Sequence, residues 1–88
     1  EKAARVAQKA PVVCNRQSGR IYYLERRSDI DRILAIQGGA RGFAHEVPLL
    51  LCVVVDLCNF NSSAERNQGW IDGGLFAMSL IFGLHAQG

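Results

Sequence analysis

The residues best placed to do chemistry lie between Pro11 and Gln17, inside the segment A-P-V-V-C-N-R-Q at positions 10–17. Asn15 and Gln17 stand two positions apart, where the chain leaves an Ala-rich helical pattern and approaches an apolar strand that begins near Ile21. Each amide carries donors and an acceptor together. Side chains fixed at a helix–strand junction can therefore meet a ligand edge that presents both kinds of group. The same residues also satisfy backbone groups in turns, and the residue types alone leave both readings open. Elsewhere the chemistry is sparse. His45 and Glu46 are adjacent, His85 sits near the end of the last helical pattern, and neither histidine stands at metal-ligand spacing from Cys14, Cys52 or Cys58. A solvated or dipole-complementing histidine is the expectation, with no metal site. Cys52 reads as a small core residue. Gly38, Gly39 and Gly42 do not spell a nucleotide-binding fingerprint, because no strand precedes them and the G-x-G-x-x-G spacing is missing. No Ser/His/Asp arrangement and no carboxylate pair is readable, so no catalytic side chain stands out.

Composition narrows the classes. Eighty-eight residues make at most one small domain, and a chain of this size buries only about 60–65% of the surface its unfolded form exposes. Yet 49% of the residues are apolar. That excess implies burial against something outside these residues, such as a second subunit or missing chain. The net charge is +2 with dispersed cations, Arg26 and Arg27 being the only adjacent pair, which excludes a nucleic-acid footprint. Three cysteines without paired spacing argue against a disulfide framework and for a reducing compartment. The first ten residues lack the apolar core of a signal peptide. The apolar run Val47 to Val55 is about half of the ~20 residues a membrane helix needs. A cytoplasmic protein with no membrane partner is expected.

The positioning elements follow from periodicity. Ala3, Val6, Ala7 and Ala10 recur at helical spacing, and Pro11 ends that helix. The chain opens inside this pattern without an N-cap, which reads as a helix entered partway along a longer chain. Ile21 to Leu24 reads as a strand apolar on both faces and hence covered on both. Ser28 and Asp31 predict a weak capping box, Ile30, Ile33 and Leu34 a buried helix face, and Gly38-Gly39 its stop after Gln37. Val47 to Val55, with three consecutive valines, predicts a central strand. Positions 59–67 are loop-like, with Ser62 and Glu65 able to cap a short turn. Residues 68–86 form the longest helix candidate. On it Asp72, Ser79 and Gly83 share one narrow stripe, while apolar residues cover nearly all the rest. Such a helix belongs in a larger core or a dimer interface. Asp72 reads as a structural carboxylate near the helix start. The order helix, strand, helix, strand, helix suits a layered α+β or α/β fold in a single, partial domain spanning residues 1–88.

The loop resembles the A-P-S-x-x-N-x-Q segment of the flavin-dependent nitroreductase family, with Asn15 and Gln17 at the expected positions. The resemblance continues in order through I-Q-G-G-A-R-G-F (36–43), V-P-L-L-L-C-V-V-V-D (47–56) and I-D-G-G-L-F-A-M-S-L-I-F-G-L-H-A-Q-G (71–88), which is similar to that family's buried D-x-G helix. It implies an α+β fold with α-β-α layers around a mainly antiparallel sheet, incomplete in this chain. It further implies noncovalent FMN, NAD(P)H as electron donor, a homodimer, and delivery of electrons to a small electron-poor acceptor. Val12, Val13, Asn15 and Gln17 would lie against the flavin, whose pyrimidine edge presents donors and acceptors. Gln37 would add a contact to the pyrimidine and Arg41 one near the ribityl-phosphate, against the plainer readings of a helix cap and a solvated cation. There are departures. Val12 replaces the family's serine, Ser18-Gly19 replaces its Pro-Trp, and the family's segments that grip the phosphate and close the domain are not matched. Two alternatives are a related dehalogenating or flavin-fragmenting enzyme, and a noncatalytic truncated domain whose last helix serves for association.

Overall fold

The computed structural model describes residues 1–88. Its elements are α1 (Lys2–Ala7), β1 (Gly19–Leu24), α2 (Arg27–Gln37), β2 (Leu50–Val55) and α3 (Gln68–His85), with 3-10 turns at Val13–Asn15, Ala44–Glu46, Leu57–Asn59 and Ser63–Glu65. The architecture is α+β: three helices and one sheet in which β1 and β2 pair antiparallel. The Asp56 N–H, just past the end of β2, donates to the Ser18 carbonyl just before β1 at 3.0 Å, which pins the register. No helix is long and apolar enough to cross a membrane.

Two compact units result. One comprises residues 1–21 and 53–88, the other residues 22–52. In the second, Ile30 and Leu34 of α2 pack with Ala40, and Leu24, Val47 and Leu50 close around them. The Ile30–Leu34 spacing is the helical one read from the sequence; Ile33, on the same predicted face, is exposed instead. The helix begins one residue before Ser28, at Arg27, so Ser28 caps nothing. Arg26 occupies the cap position and its Nε pairs with Asp29 at 2.8 Å. The helix stops at Gly38, whose φ of 75° is the left-handed conformation glycine adopts without steric cost. Arg27 then staples the following turn, its Nη1 donating to the Val47 carbonyl at 2.9 Å and its Nη2 to that of Ala44 at 3.1 Å.

In the first unit α3 packs along α1, and the side facing inward is the unexpected one. Gly69, Asp72, Phe76, Leu80 and Gly83 are buried, a row at i, i+3, i+7, i+11 and i+14 that includes two members of the polar-and-small stripe. The bulky residues Ile71, Leu75, Met78, Ile81 and Phe82 face out, and Trp70 is 84% exposed. Helix spacing is the cause, since interaxial distance follows the size of the contact side chains. Ala3 and Ala7 of α1 are buried against this face. A Cβ at Gly83 would lie 3.0 Å from both the Cα and the carbonyl oxygen of Ala3.

The strands also depart from expectation. β2 starts at Leu50 rather than Val47, past Pro48, which has no N–H to give a ladder. It has one neighbour and is mostly half-buried rather than central. Tyr22 and Tyr23 of β1 point to opposite faces and both are exposed, although Gly19 lies against Phe76 and Leu24 packs on the Ile30–Leu34 core.

Two glycine substitutions in α3 should therefore act in opposite directions. Gly83→Ala meets backbone, which cannot rotate away, and should cost about 1–3 kcal/mol, the usual range for overpacking. Gly74→Ala meets nothing within 4 Å and should gain up to ~1 kcal/mol from helix propensity. Thermal unfolding followed by circular dichroism checks both: the melting temperature should fall in the first variant and rise in the second.

Candidate functional site

The loop between α1 and β1 is built against its own backbone preferences. Cys14, Asn15 and Gln17 have φ of 46°, 52° and 56°. Three non-glycine residues in the left-handed region within four positions cost roughly 1 kcal/mol or more each, least for Asn. Such strain persists only where surrounding contacts over-determine it. Here they come from both ends of the loop.

At its head, the Val13 N–H donates to the Asp72 carboxylate, 3.3 Å from Oδ1 and 3.2 Å from Oδ2. Asp72 is 2% exposed, and its Oδ1 also accepts from Gln68 Nε2 at 2.8 Å. At the tail, Arg16 Nη1 lies 2.8 Å from both the Asn59 carbonyl oxygen and Glu65 Oε1. The Arg16 guanidinium, hydrogen-bonded to Glu65, holds that carboxyl below its ordinary value, and the Asn61 N–H adds to the effect. The guanidinium is itself pushed up by Glu65. Glu65 thus reaches back to cap the Ser63–Glu65 turn through Asn61, at 2.8 Å, whereas Ser62 makes no capping bond. Arg20 Nη1 closes the loop's exit on the carbonyls of Gln17 at 2.7 Å and Gly19 at 2.9 Å.

The amides are thereby brought together. Gln17 Nε2 donates to Asn15 Oδ1, and both residues are exposed. This pairing leaves Asn15 Nδ2 as a donor and Gln17 Oε1 as an acceptor, neither hydrogen-bonded within the chain. Gln17 and Val12 line a cleft of about 420 Å³ together with Gln8, Ala10, Arg20 and Phe76. The Phe76 ring lies flat on Gly19, where a Cβ would stand 2.7 Å from its Cδ2. The Ser18-Gly19 pair therefore has a local reason: glycine admits the ring. Ser18 is fully buried and its Oγ has no partner.

Gln37 and Arg41 belong to the second compact unit, the loop to the first. Gln37 Oε1 accepts the Gly39 N–H at 2.7 Å, the helix-end bond of the plainer reading. Arg41 is exposed and forms no ion pair or side-chain hydrogen bond. A second, larger cleft of about 560 Å³ lies among Val53, Val55, Leu57, Trp70, Gly73 and Arg66. It is apolar apart from Arg66, whereas the loop cleft is lined by the Gln8 and Gln17 amides and Arg20, so the smaller cleft is the better candidate site.

Sequence reasoning missed the left-handed residues, the Asp72 bond and the Arg16 clamp. Only Asp72 left a trace: it is the sole acid in an apolar helix, and a buried carboxylate needs donors.

The Arg16–Glu65 pair has a pH signature. A lowered folded-state pKa gives stability that is complete above the ordinary value, 4.5 for Glu65, and that is lost as pH falls through the depressed value. Glu65→Gln should lower the melting temperature at pH 7 and flatten its decline below pH 4.5 relative to the parent chain; melting curves between pH 7 and pH 3 read this directly.

No family model matches the chain, and no curated protein matches it. Among solved structures, the chain is similar to the crystal structure of a "Putative NADH Oxidase" from Clostridium acetobutylicum, with a TM-score of 0.75 and 24% identity. The match covers 93% of this chain and 47% of that one, so this chain spans about half the length of its structural neighbour. At that identity the likeness shows a shared fold.

Proposed function

We propose that this chain carries the ring-contacting part of an FMN-dependent oxidoreductase of nitroreductase type, which passes electrons from NAD(P)H through FMN to a small electron-poor acceptor. The observation that carries the reading is the Asn15–Gln17 amide pair, which keeps one donor and one acceptor uncommitted and whose Gln17 member lines a cleft. A flavin pyrimidine edge presents groups of both kinds. Val12 and Phe76 give the cleft apolar walls of the sort a flat ring packs against. The shared fold with a protein described as an NADH oxidase supports the same class. When bound, FMN supplies the two-electron chemistry, and the residues of this chain bind and orient it. The Val13 N–H is committed to Asp72, so Val13 would contribute its side chain only. Arg41, free of any ion pair, is available to a phosphate, and Gln37 would exchange its Gly39 bond for a flavin contact. The acceptor and the choice between dehalogenating, flavin-fragmenting and nitro-reducing chemistry would be set by parts of the protein that these residues do not include.

The outward face of α3 supports a homodimer. Ile71, Leu75, Met78, Ile81 and Phe82 form a contiguous exposed apolar row, a pattern that marks association surfaces. The three cysteines are free, which suits a reducing, cytoplasmic location. The same apolar row favours a second reading, a noncatalytic association module.

An FMN titration separates the two. Saturable one-to-one quenching of flavin fluorescence, weakened about 10-fold in Asn15→Ala by loss of one ligand hydrogen bond, is expected of the flavoprotein. A chain that stays colourless and unsaturated at high micromolar FMN is the association module. Sedimentation velocity should show a dimer that Ile81→Glu converts to monomer.

A further inference from the structure

Asp72 and Val13 are 59 positions apart, yet the bond between them is the one hydrogen bond from the loop's leading half to a distant element. It sits immediately before Cys14 and Asn15, where φ turns positive. The tail is held separately by Arg16 on Asn59 and Glu65. A left-handed stretch clamped at both ends has one available path. With the head clamp removed, Cys14 and Asn15 can relax to negative φ and swing the Asn15 amide away from Gln17.

We propose that Asp72 is the positioning residue of the loop: its carboxylate fixes the Val13 peptide, and through it the left-handed turn and the stance of the Asn15–Gln17 amides. Gln68 alone would satisfy part of a buried carboxylate, but the geometry spends both oxygens on Val13 as well. The second of the two readouts below rests on the flavin reading; the first needs no ligand.

Four variants test the assignment. Asp72→Ala removes the acceptor. Val13→Pro removes the donor and sets its ring carbon against the carboxylate, so the Asp72 contact cannot form; Val12 is already extended (φ −137°, ψ 152°), as a residue before proline must be. Asp72→Asn keeps one carbonyl oxygen for the Val13 N–H, and the Gln68 amide can turn its oxygen to the new NH2 group. Leu80→Ala, a core truncation in the same helix, controls for lost stability. The first readout is the strong intraresidue amide–Hα NOE that marks positive φ, at residues 14, 15 and 17 of the ligand-free chain. The second is the FMN dissociation constant.

Asp72→Ala and Val13→Pro should lose the NOE pattern at residues 14 and 15 and bind FMN about 10-fold more weakly, as expected for a hydrogen bond to a charged group. Asp72→Asn should keep the pattern and bind within about 3-fold of the parent, a fraction of one such bond. Leu80→Ala should melt lower with pattern and affinity unchanged. Intact NOEs in either of the first two variants, or an equal loss in Leu80→Ala, would overturn the assignment. If Asp72→Ala does not fold, Val13→Pro and Asp72→Asn decide by the same criteria. If the parent chain binds no FMN, the flavin reading fails, and the NOE pattern alone decides the role of Asp72.

Discussion

Everything in the first compact unit is referred to one row of side chains on α3. Gly83 sets the distance to α1, with the Ala3 backbone 3.0 Å from where a Cβ of its own would be. Phe76 lies on Gly19 at the start of β1, and Asp72 takes the N–H of Val13 in the loop. Gly69 leaves room for Leu57, Phe60 and Val55. The row works because most of its members are small or polar. Bulky residues in these places would hold the other elements away, and the loop would lose its acceptor. The cost is an α3 that turns its large apolar residues outward, which few isolated chains tolerate without a partner.

The loop shows how that frame is used. Left-handed conformations at Cys14, Asn15 and Gln17 are unfavourable one by one. They survive because a buried carboxylate holds one end of the loop and a guanidinium holds the other. What this achieves is the juxtaposition of two amides that, in a relaxed turn, would be occupied with their own backbone. Strain at this point is the physical mark that separates a built site from an ordinary connection. The asymmetry with the second compact unit is instructive. There Gln37 closes its own helix end and Gly38 supplies the positive φ at no cost.

Much of the architecture was legible in the sequence. The order of the five regular elements, the buried Ile30 and Leu34, and the stop at Gly38 all follow from local periodicity and turn chemistry. Asn15 and Gln17 were legible as a pair of amides at a junction. The inward face of α3 was not, because a helix that is apolar almost all round has no strong amphipathic signal; which side turns in is decided by how closely α1 and β2 can approach. The Asp72–Val13 and Arg16–Glu65 contacts link positions 59 and 49 residues apart, and no local pattern encodes such pairings. Cover on both faces of β1 was expected from its composition and is incomplete for the same reason that α3 is exposed: apolar surface in this chain exceeds what 88 residues can bury.

Whether the strained loop holds a flavin is tested most directly by following backbone and side-chain amide resonances of the whole chain as FMN is added. The largest shifts should fall on the Asn15 and Gln17 side-chain amides and on the Val12 and Gly19 backbone, in fast or intermediate exchange with one saturating event. Shifts confined to the apolar cleft around Trp70, or no localised shifts at all, would contradict a flavin site at this loop.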